Sequence, residues 1–201
     1  MARQKLHGPK GCGFLYVKEK TKIKPILFGG GQQKGLRSGT ENVPGIAGLG
    51  LAAELACKDV EGLQEHLFEL KKQFAKGLSE MTDVTIHLVD NKDGSPVEEP
   101  VREERLGKTA PHIMSVGFAG VRSEVLLHAL EEKGIYVSSG SACSSNHPAV
   151  SGTLKAIDVK KELLDATVRF SFCKDTTKEE LEYTLSVLKE LLPQLRRFWR
   201  K

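Results

Sequence analysis

The stretch Gly134-Ile135-Tyr136-Val137-Ser138-Ser139-Gly140-Ser141-Ala142-Cys143-Ser144-Ser145 is the part of the sequence around which the rest of the chain is arranged. Its apolar beginning, as far as Val137, predicts the end of a strand. After Val137 the stretch contains only small residues, so it can add little to a hydrophobic core and predicts a loop. A single thiol in such a loop suits a nucleophile that is carried to a substrate, but a plain Ser/Gly linker with an incidental cysteine has the same composition.

Length and composition limit the class of protein. The 201 residues fit one domain, or one and a part, and 39% hydrophobic residues are enough for a core. The net charge of +4 comes from 30 basic residues interleaved with 26 acidic ones, so no nucleic-acid partner is expected. We expect neither a signal peptide nor a membrane partner, because no apolar run is long enough for either.

The four cysteines, Cys12, Cys57, Cys143 and Cys173, form no Cys-x-x-Cys pair. Unpaired cysteines of this kind favour a reducing compartment, and we expect the cytoplasm. Cys143 and His147 have a metal-like spacing, but two ligands do not make a zinc site, so no metal site is predicted. Cys12, Cys57 and Cys173 are interpreted as small packing residues.

The first 60 residues predict two short extended segments with little of their own to pack against. Residues 13–17 predict a short buried strand, and residues 22–28 a second extended piece, which Pro25 places at an edge or in a loop. These segments are typical of a piece of a larger sheet. We therefore expect a domain boundary near residue 60.

A glycine-rich loop precedes the first predicted helix. Five glycines lie between residues 29 and 39, and Asn42 then predicts the N-cap of a helix over residues 43–57. A loop that opens into a helix N-terminus can bind an anion through exposed amides, although glycine loops without a ligand are common.

Beyond residue 60, strands alternate with helices, which is typical of an α/β fold with a mixed or antiparallel sheet. The predicted helices cover residues 61–81, 122–133, most of 154–166, and a last segment that opens with a capping box at Thr177. The predicted strands cover residues 84–89, 112–118, 135–137 and 168–172. Residues 90–109 are charged and predict a surface insertion.

Five motifs then occur in series. They are KLHGPKG at 5–11, GGGQ at 29–32, RSGTEN at 37–42, SGSACSS at 139–145 and VRFS at 168–171. Together they resemble the NifS/IscS-type cysteine desulfurases, fold-type I pyridoxal-phosphate enzymes of the class V aminotransferase family. The resemblance covers the C-terminal half of the chains of that family. It implies that residues 1–60 are the end of the large cofactor-binding domain and that residues 61–201 form a small α/β domain with the catalytic cysteine loop.

The resemblance also implies roles for individual residues. Lys5 matches the lysine that attaches covalently to pyridoxal 5'-phosphate, and Gln4 stands where the family has a cofactor-contacting histidine. Thr40 matches a hydroxyl that reaches the cofactor phosphate of the other subunit of a homodimer. Cys143 matches the nucleophile that takes sulfur from L-cysteine as a persulfide and so releases L-alanine. Arg169 matches the residue that binds the substrate carboxylate, for which a planar guanidinium is well suited.

The implied partners are L-cysteine and a sulfur-acceptor or scaffold protein in iron–sulfur cluster or thio-cofactor assembly, where Cys143 would also be a transient iron–sulfur ligand. The resemblance implies activity when the other half of the family's fold is present. Two alternatives remain open: an inactive domain that binds no cofactor, and a selenocysteine lyase on the same scaffold.

Overall fold

The structure is a computed structural model, and it describes residues 6–88, 101–139 and 151–198. The chain divides into two compact units, Met1–Glu61 and Gly62–Lys201. Within the described ranges, no helix is both long and apolar enough to cross a lipid bilayer.

The first unit has one α-helix in its described part, α1 at Val43–Cys57. The Oδ1 atom of Asn42 accepts a hydrogen bond from the Gly45 amide at 3.1 Å, which confirms the predicted N-cap and the predicted bounds of the helix. The segment before it packs directly on α1, since a Cβ atom added at Gly48 would lie 2.7 Å from the Pro9 ring. Only glycine permits this approach.

The two extended segments predicted in the first unit do not form strands. Residues 13–17 contain a single bridge residue, Gly13, and the side chains of Leu15 and Tyr16 are 75% and 80% exposed. Residues 22–28 contribute one isolated bridge, between Leu27 and Arg37. The prediction was wrong because a strand needs a neighbour to pair with, and the described part of this unit contains no sheet.

The second unit is built on a four-stranded antiparallel sheet of order β1-β2-β4-β3. The strands are β1 Val84–Ile86, β2 Ile113–Phe118, β3 Ser138–Ser139 and β4 Thr167–Ser171. The predicted α/β class is confirmed, with an antiparallel sheet. The predicted strand at residues 135–137 is wrong, because the pairing with β4 begins at Ser138.

Three helices pack on the apolar face of the sheet. They are α2 Val60–Ser79, α4 Ser123–Glu131 and α6 Lys178–Arg197. Phe74 of α2 lies at the centre of the core, with its ring centroid 5.0 Å from that of Phe170 and 5.9 Å from that of Phe172. Most of the remaining core positions are buried leucines of the three helices and the inward residues of β2 and β4. The predicted hydrophobic stripe of α2 is therefore core.

The last helix begins and ends with specific hydrogen bonds. The Thr177 hydroxyl accepts from the Glu180 amide at 3.2 Å, and the Glu180 carboxylate accepts from the Thr177 amide at 3.0 Å, which confirms the predicted capping box. At the other end, the Arg196 guanidinium donates to the carbonyls of Ala119, Thr82 and Asp83 at 2.9–3.2 Å.

The charged segment at residues 90–109 differs from the predicted surface insertion where it is described. Residues 101–107 form α3, Val101–Gly107, and Leu106 is buried in the core. Lys71, itself buried, donates from Nζ to the Ala110 carbonyl at 2.7 Å and to the Thr109 hydroxyl. Burial lowers the pKa of this amine to about 8.

The helix predicted over most of residues 154–166 is replaced by two shorter pieces. These are α5, Gly152–Ala156, and a 3-10 helix at Lys161–Leu163. Asp158 between them has a φ of 55°, in the left-handed region, which an α-helix cannot contain. Leu163, in the second piece, packs over Gly117 of β2.

Candidate active site

The face of the sheet opposite the core carries a row of polar side chains that crosses β2, β4 and β3. The register pairs Ser115 of β2 with Arg169 of β4, and Arg169 with Ser138 of β3. His87 extends the row beyond β1, since its backbone N–H donates to the Ser115 carbonyl at 3.0 Å. The predicted alternation of β4, with Arg169 on the opposite face from Phe170, is confirmed.

Arg169 is exposed at the centre of this row. Its Nη2 atom donates to the Ser138 hydroxyl oxygen at 3.3 Å. Among the side chains that the structure describes, no carboxylate forms an ion pair with Arg169. Its charge is therefore not offset by a described carboxylate, and most of its donors remain available, which suits the guanidinium to bind an anionic group that arrives from solution.

Strand β3 leads directly into the segment that contains the candidate nucleophile. Ser139 is the last described residue before residues 140–150, and it is buried in the ladder opposite Val168. Cys143 and His147 lie outside the described residues. The last described residue before the cysteine-bearing segment thus lies one residue beyond the register partner of Arg169.

His87 is held in one neutral form. Its Nε2 atom lies 2.9 Å from the Thr167 hydroxyl oxygen, and that hydroxyl donates to the Leu163 carbonyl at 2.6 Å. Because the Thr167 proton is committed to Leu163, the imidazole must donate from Nε2. Burial lowers the pKa of His87 to about 4. The sequence gave no signal for this contact, because the space for the ring depends on the missing side chain of Gly117 on another strand.

Thr40 lies exposed in the glycine-rich loop of the first unit. The loop is held by side-chain contacts to its own backbone: the Ser38 hydroxyl donates to the Gly30 carbonyl at 2.8 Å, and the Gln32 side-chain oxygen accepts from the Gly39 amide at 3.3 Å. Arg37, which is also exposed, lies near the Gly39 carbonyl. The Thr40 hydroxyl and the Arg37 guanidinium, three positions apart and both exposed, are groups that can donate hydrogen bonds to a phosphate.

The N-terminus of α1 contributes less to an anion site than the sequence predicted. The amide of Gly45 is already bonded to the Asn42 side chain, so it is not available to an anion. Lys5 and Gln4, the other two predicted cofactor positions, lie outside the described residues. Thr40 and Arg37 are exposed donors in the described part of this loop.

The remaining cysteines do not all occupy the predicted packing positions. Cys57 and Cys173 are exposed, whereas Cys12 is half-buried with its Sγ atom 3.2 Å from the Gly45 carbonyl oxygen. The packing interpretation is therefore wrong for Cys57 and Cys173. In the described ranges, no group of three His, Cys, Asp or Glu side chains is placed to hold a metal ion.

Comparison with known proteins gives a family match over most of the chain. The model of the family "Aminotransferase class-V" matches residues 1–184. A cysteine desulfurase IscS from Dictyoglomus turgidum is 39% identical over 196 residues, covering 98% of this chain and 46% of that protein. A cysteine desulfurase IscS from Methanosarcina thermophila is 37% identical, with coverage of 98% and 45%. The chain therefore spans about half the length of the curated relatives it matches.

Two solved structures also match most of this chain. A NifS-like protein matches with a TM-score of 0.77 and 32% identity, over 96% of this chain and 46% of its own. The cysteine desulfurase CsdA from Escherichia coli matches with a TM-score of 0.71 over 96% of this chain, and its identity of 22% supports the fold alone.

Proposed function

The chain belongs to the class-V aminotransferase family, and from that membership we propose that it forms the carboxylate-binding and sulfur-accepting part of a pyridoxal-phosphate-dependent cysteine desulfurase. The relatives named as cysteine desulfurases support this activity. We further propose that the first unit is the end of the large cofactor-binding domain and that the second unit is the small domain. The observation that carries the proposal is the guanidinium of Arg169, which forms no ion pair with a described carboxylate and donates to Ser138, two residues before the cysteine-bearing segment begins at residue 140.

Arg169 binds the carboxylate of L-cysteine in this proposal. Its charge is not compensated by a described acidic side chain, and a planar guanidinium can form two parallel hydrogen bonds with a carboxylate. Binding at Arg169 orients the substrate so that its sulfur can be reached from the segment that follows β3.

The cofactor site would combine residues of this chain with residues that it does not supply. Lys5 would hold pyridoxal 5'-phosphate covalently, and Gln4 would contact it. Thr40 and Arg37 would bind a cofactor phosphate, and in the family that phosphate belongs to the cofactor of the other subunit of a homodimer. When bound, the cofactor supplies an electron sink that weakens the bonds of the amino acid near its α-carbon.

Cys143 accepts the sulfur. Its thiolate attacks the sulfur of L-cysteine, a sulfur–sulfur bond forms, and the carbon–sulfur bond of the substrate breaks. The electron pair of that bond stays with carbon, which takes up a proton and leaves as L-alanine. The products are one persulfide and one alanine, so no external oxidant is needed. The persulfide would pass to an acceptor or scaffold protein of iron–sulfur or thio-cofactor assembly, in a reducing compartment such as the cytoplasm.

The test supplies the N-terminal part of the family's length from a relative. The 201-residue chain is co-produced with the N-terminal part of the Dictyoglomus turgidum relative, and pyridoxal phosphate is added. We expect absorbance near the edge of the visible range, together with sulfide and alanine formed from L-cysteine in the presence of a thiol reductant. Cys143→Ala should abolish sulfide and keep the absorbance, whereas the exposed thiol of Cys173 provides the matched control, Cys173→Ala, with normal activity.

Two results would contradict this function. Sulfide formation that survives Cys143→Ala would remove the proposed nucleophile. An assembled pair that binds no cofactor and forms no sulfide would support the inactive-domain alternative. Competition between L-cysteine and selenocysteine in the same assay distinguishes a selenocysteine lyase.

A further inference from the structure

Arg169 has a defined partner on the neighbouring strand. Ser138 and Arg169 are register partners of β3 and β4, and the 3.3 Å bond from Nη2 to the Ser138 hydroxyl is the hydrogen bond that orients the guanidinium in the described part of the chain. An arginine on a solvent-facing strand position otherwise samples several rotamers, and it loses that freedom when it binds a ligand. A partner that holds one rotamer in advance reduces this loss.

The described side chains that flank Arg169 along the row are neutral. Ser115 faces it from β2, Ser138 faces it from β3, and the neutral His87 lies beyond Ser115. A carboxylate at position 138 would orient the guanidinium more strongly, but it would also neutralise its charge and compete with an incoming anion. A hydroxyl accepts one hydrogen bond and leaves the charge available.

Ser138 is itself held in place. Its neighbour Ser139 is buried and paired with Val168, and Val137 on the other side packs against the core. The hydroxyl of Ser138 is therefore presented from a fixed backbone rather than from a loop. By contrast, Ser115 has the same side chain and also faces Arg169, but no hydrogen bond joins the two.

We propose that Ser138 is a positioning residue, which preorganises Arg169 for the carboxylate of the amino-acid substrate without reducing its charge. This inference rests on the proposed function, in which Arg169 binds that carboxylate. It assigns the effect of Ser138 to substrate binding and not to the chemical step.

The kinetic test uses the assembled enzyme described above with variants of the row. Ser138→Ala should raise the KM for L-cysteine about three- to tenfold, with less than about a twofold change in kcat, because one hydrogen bond to a charged group is lost. Ser138→Thr keeps a hydroxyl and should restore the KM. Ser138→Asp should raise the KM towards the value of Arg169→Ala, whereas the neutral Ser138→Asn should not. Ser115→Ala is the matched control and should leave both constants unchanged.

A second measurement separates this inference from the proposed function. In the purified chain labelled with ¹⁵N, the guanidinium signals of Arg169, identified by their loss in Arg169→Lys, should show slow rotation of the amino group that bonds to Ser138. Ser138→Ala should speed this rotation, and Ser115→Ala should not. If the assembled enzyme forms no sulfide, the proposed function fails, and this spectrum still decides whether Ser138 orients Arg169. Equal spectra, or equal KM values, for Ser138→Ala and Ser115→Ala would overturn the inference.

Discussion

His87 lies over Gly117, with its Nε2 atom directed at the Thr167 hydroxyl. The burial that lowers its pKa to about 4 means that the folded protein binds a proton here less readily than the unfolded chain does. Between pH 6.5 and 4 the unfolded state therefore holds more protons at this position, and the free energy of unfolding must fall as the pH falls. Above pH 6.5 the imidazole is neutral in both states and has no such effect.

The change His87→Gln tests this at the level of one residue. A glutamine amide can still donate to Thr167 but does not titrate, so the variant should lose less stability than the wild type on acidification. From pH 7 to pH 4.5 we expect the wild type to lose about 2–3 kcal/mol more than the variant, by urea denaturation at each pH. His66→Gln, which changes an exposed imidazole, is the control. Parallel pH profiles for wild type and His87→Gln would contradict the neutral, buried state.

Among the elements, α6 is fixed at both ends by contacts that differ in kind. The capping box at Thr177 and Glu180 is local, since its residues lie three positions apart. The contacts of Arg196 are not local, because its guanidinium reaches carbonyls 77 to 114 residues away in the chain. The end of the helix is thus tied to the turns that flank β1 and β2.

Replacing this arginine should loosen that end of the helix. Arg196→Ala leaves the carbonyls of Ala119, Thr82 and Asp83 without their shared donor, and we expect the free energy of unfolding to fall by about 1.5–3 kcal/mol. Arg197→Ala removes the neighbouring charge, which is exposed, and should change stability by less than about 0.5 kcal/mol. Chemical denaturation of the two variants at one pH measures the difference. Equal losses would assign the effect to charge or helix propensity instead.

At the scale of the whole molecule, the first unit exposes much apolar surface. Ile26 and Phe28 are 86% and 82% exposed, and α1 contains one charged residue, Glu54, in fifteen. A helix that is apolar on all sides is typical of a buried position, and its exposed positions include Val43 and Leu55. Surface of this kind usually marks a region that associates with another chain.

We therefore predict that the purified chain associates with itself through the first unit. Sedimentation velocity should show species larger than a monomer, in proportions that rise with concentration. The double change Ile26→Glu and Phe28→Glu should shift the distribution towards monomer, because it places charges on that surface. Phe198→Glu changes an equally exposed aromatic residue of the second unit and should have no such effect. A sharp monomer at all concentrations would contradict this prediction.

The sequence alone predicted the features of this protein that depend on contacts between residues close together in the chain. The start of α1 at Asn42 and the capping box of α6 each depend on contacts between residues about one helical turn apart, so a short stretch contains the whole interaction. The five motifs likewise identified the family, because they are read in order along the chain and need no coordinates.

Only the tertiary structure decided the features that join distant segments. The register that sets Ser138 beside Arg169 joins residues 31 positions apart, and the bond that fixes the His87 tautomer joins residues 80 apart. The segments at 13–17 and 22–28 have the composition of strands, but in the described structure they contribute only isolated bridges and no strand. Strand pairing and burial depend on which other segments of the chain pack against a given segment. The sequence of one segment alone therefore does not determine its pairing or its burial.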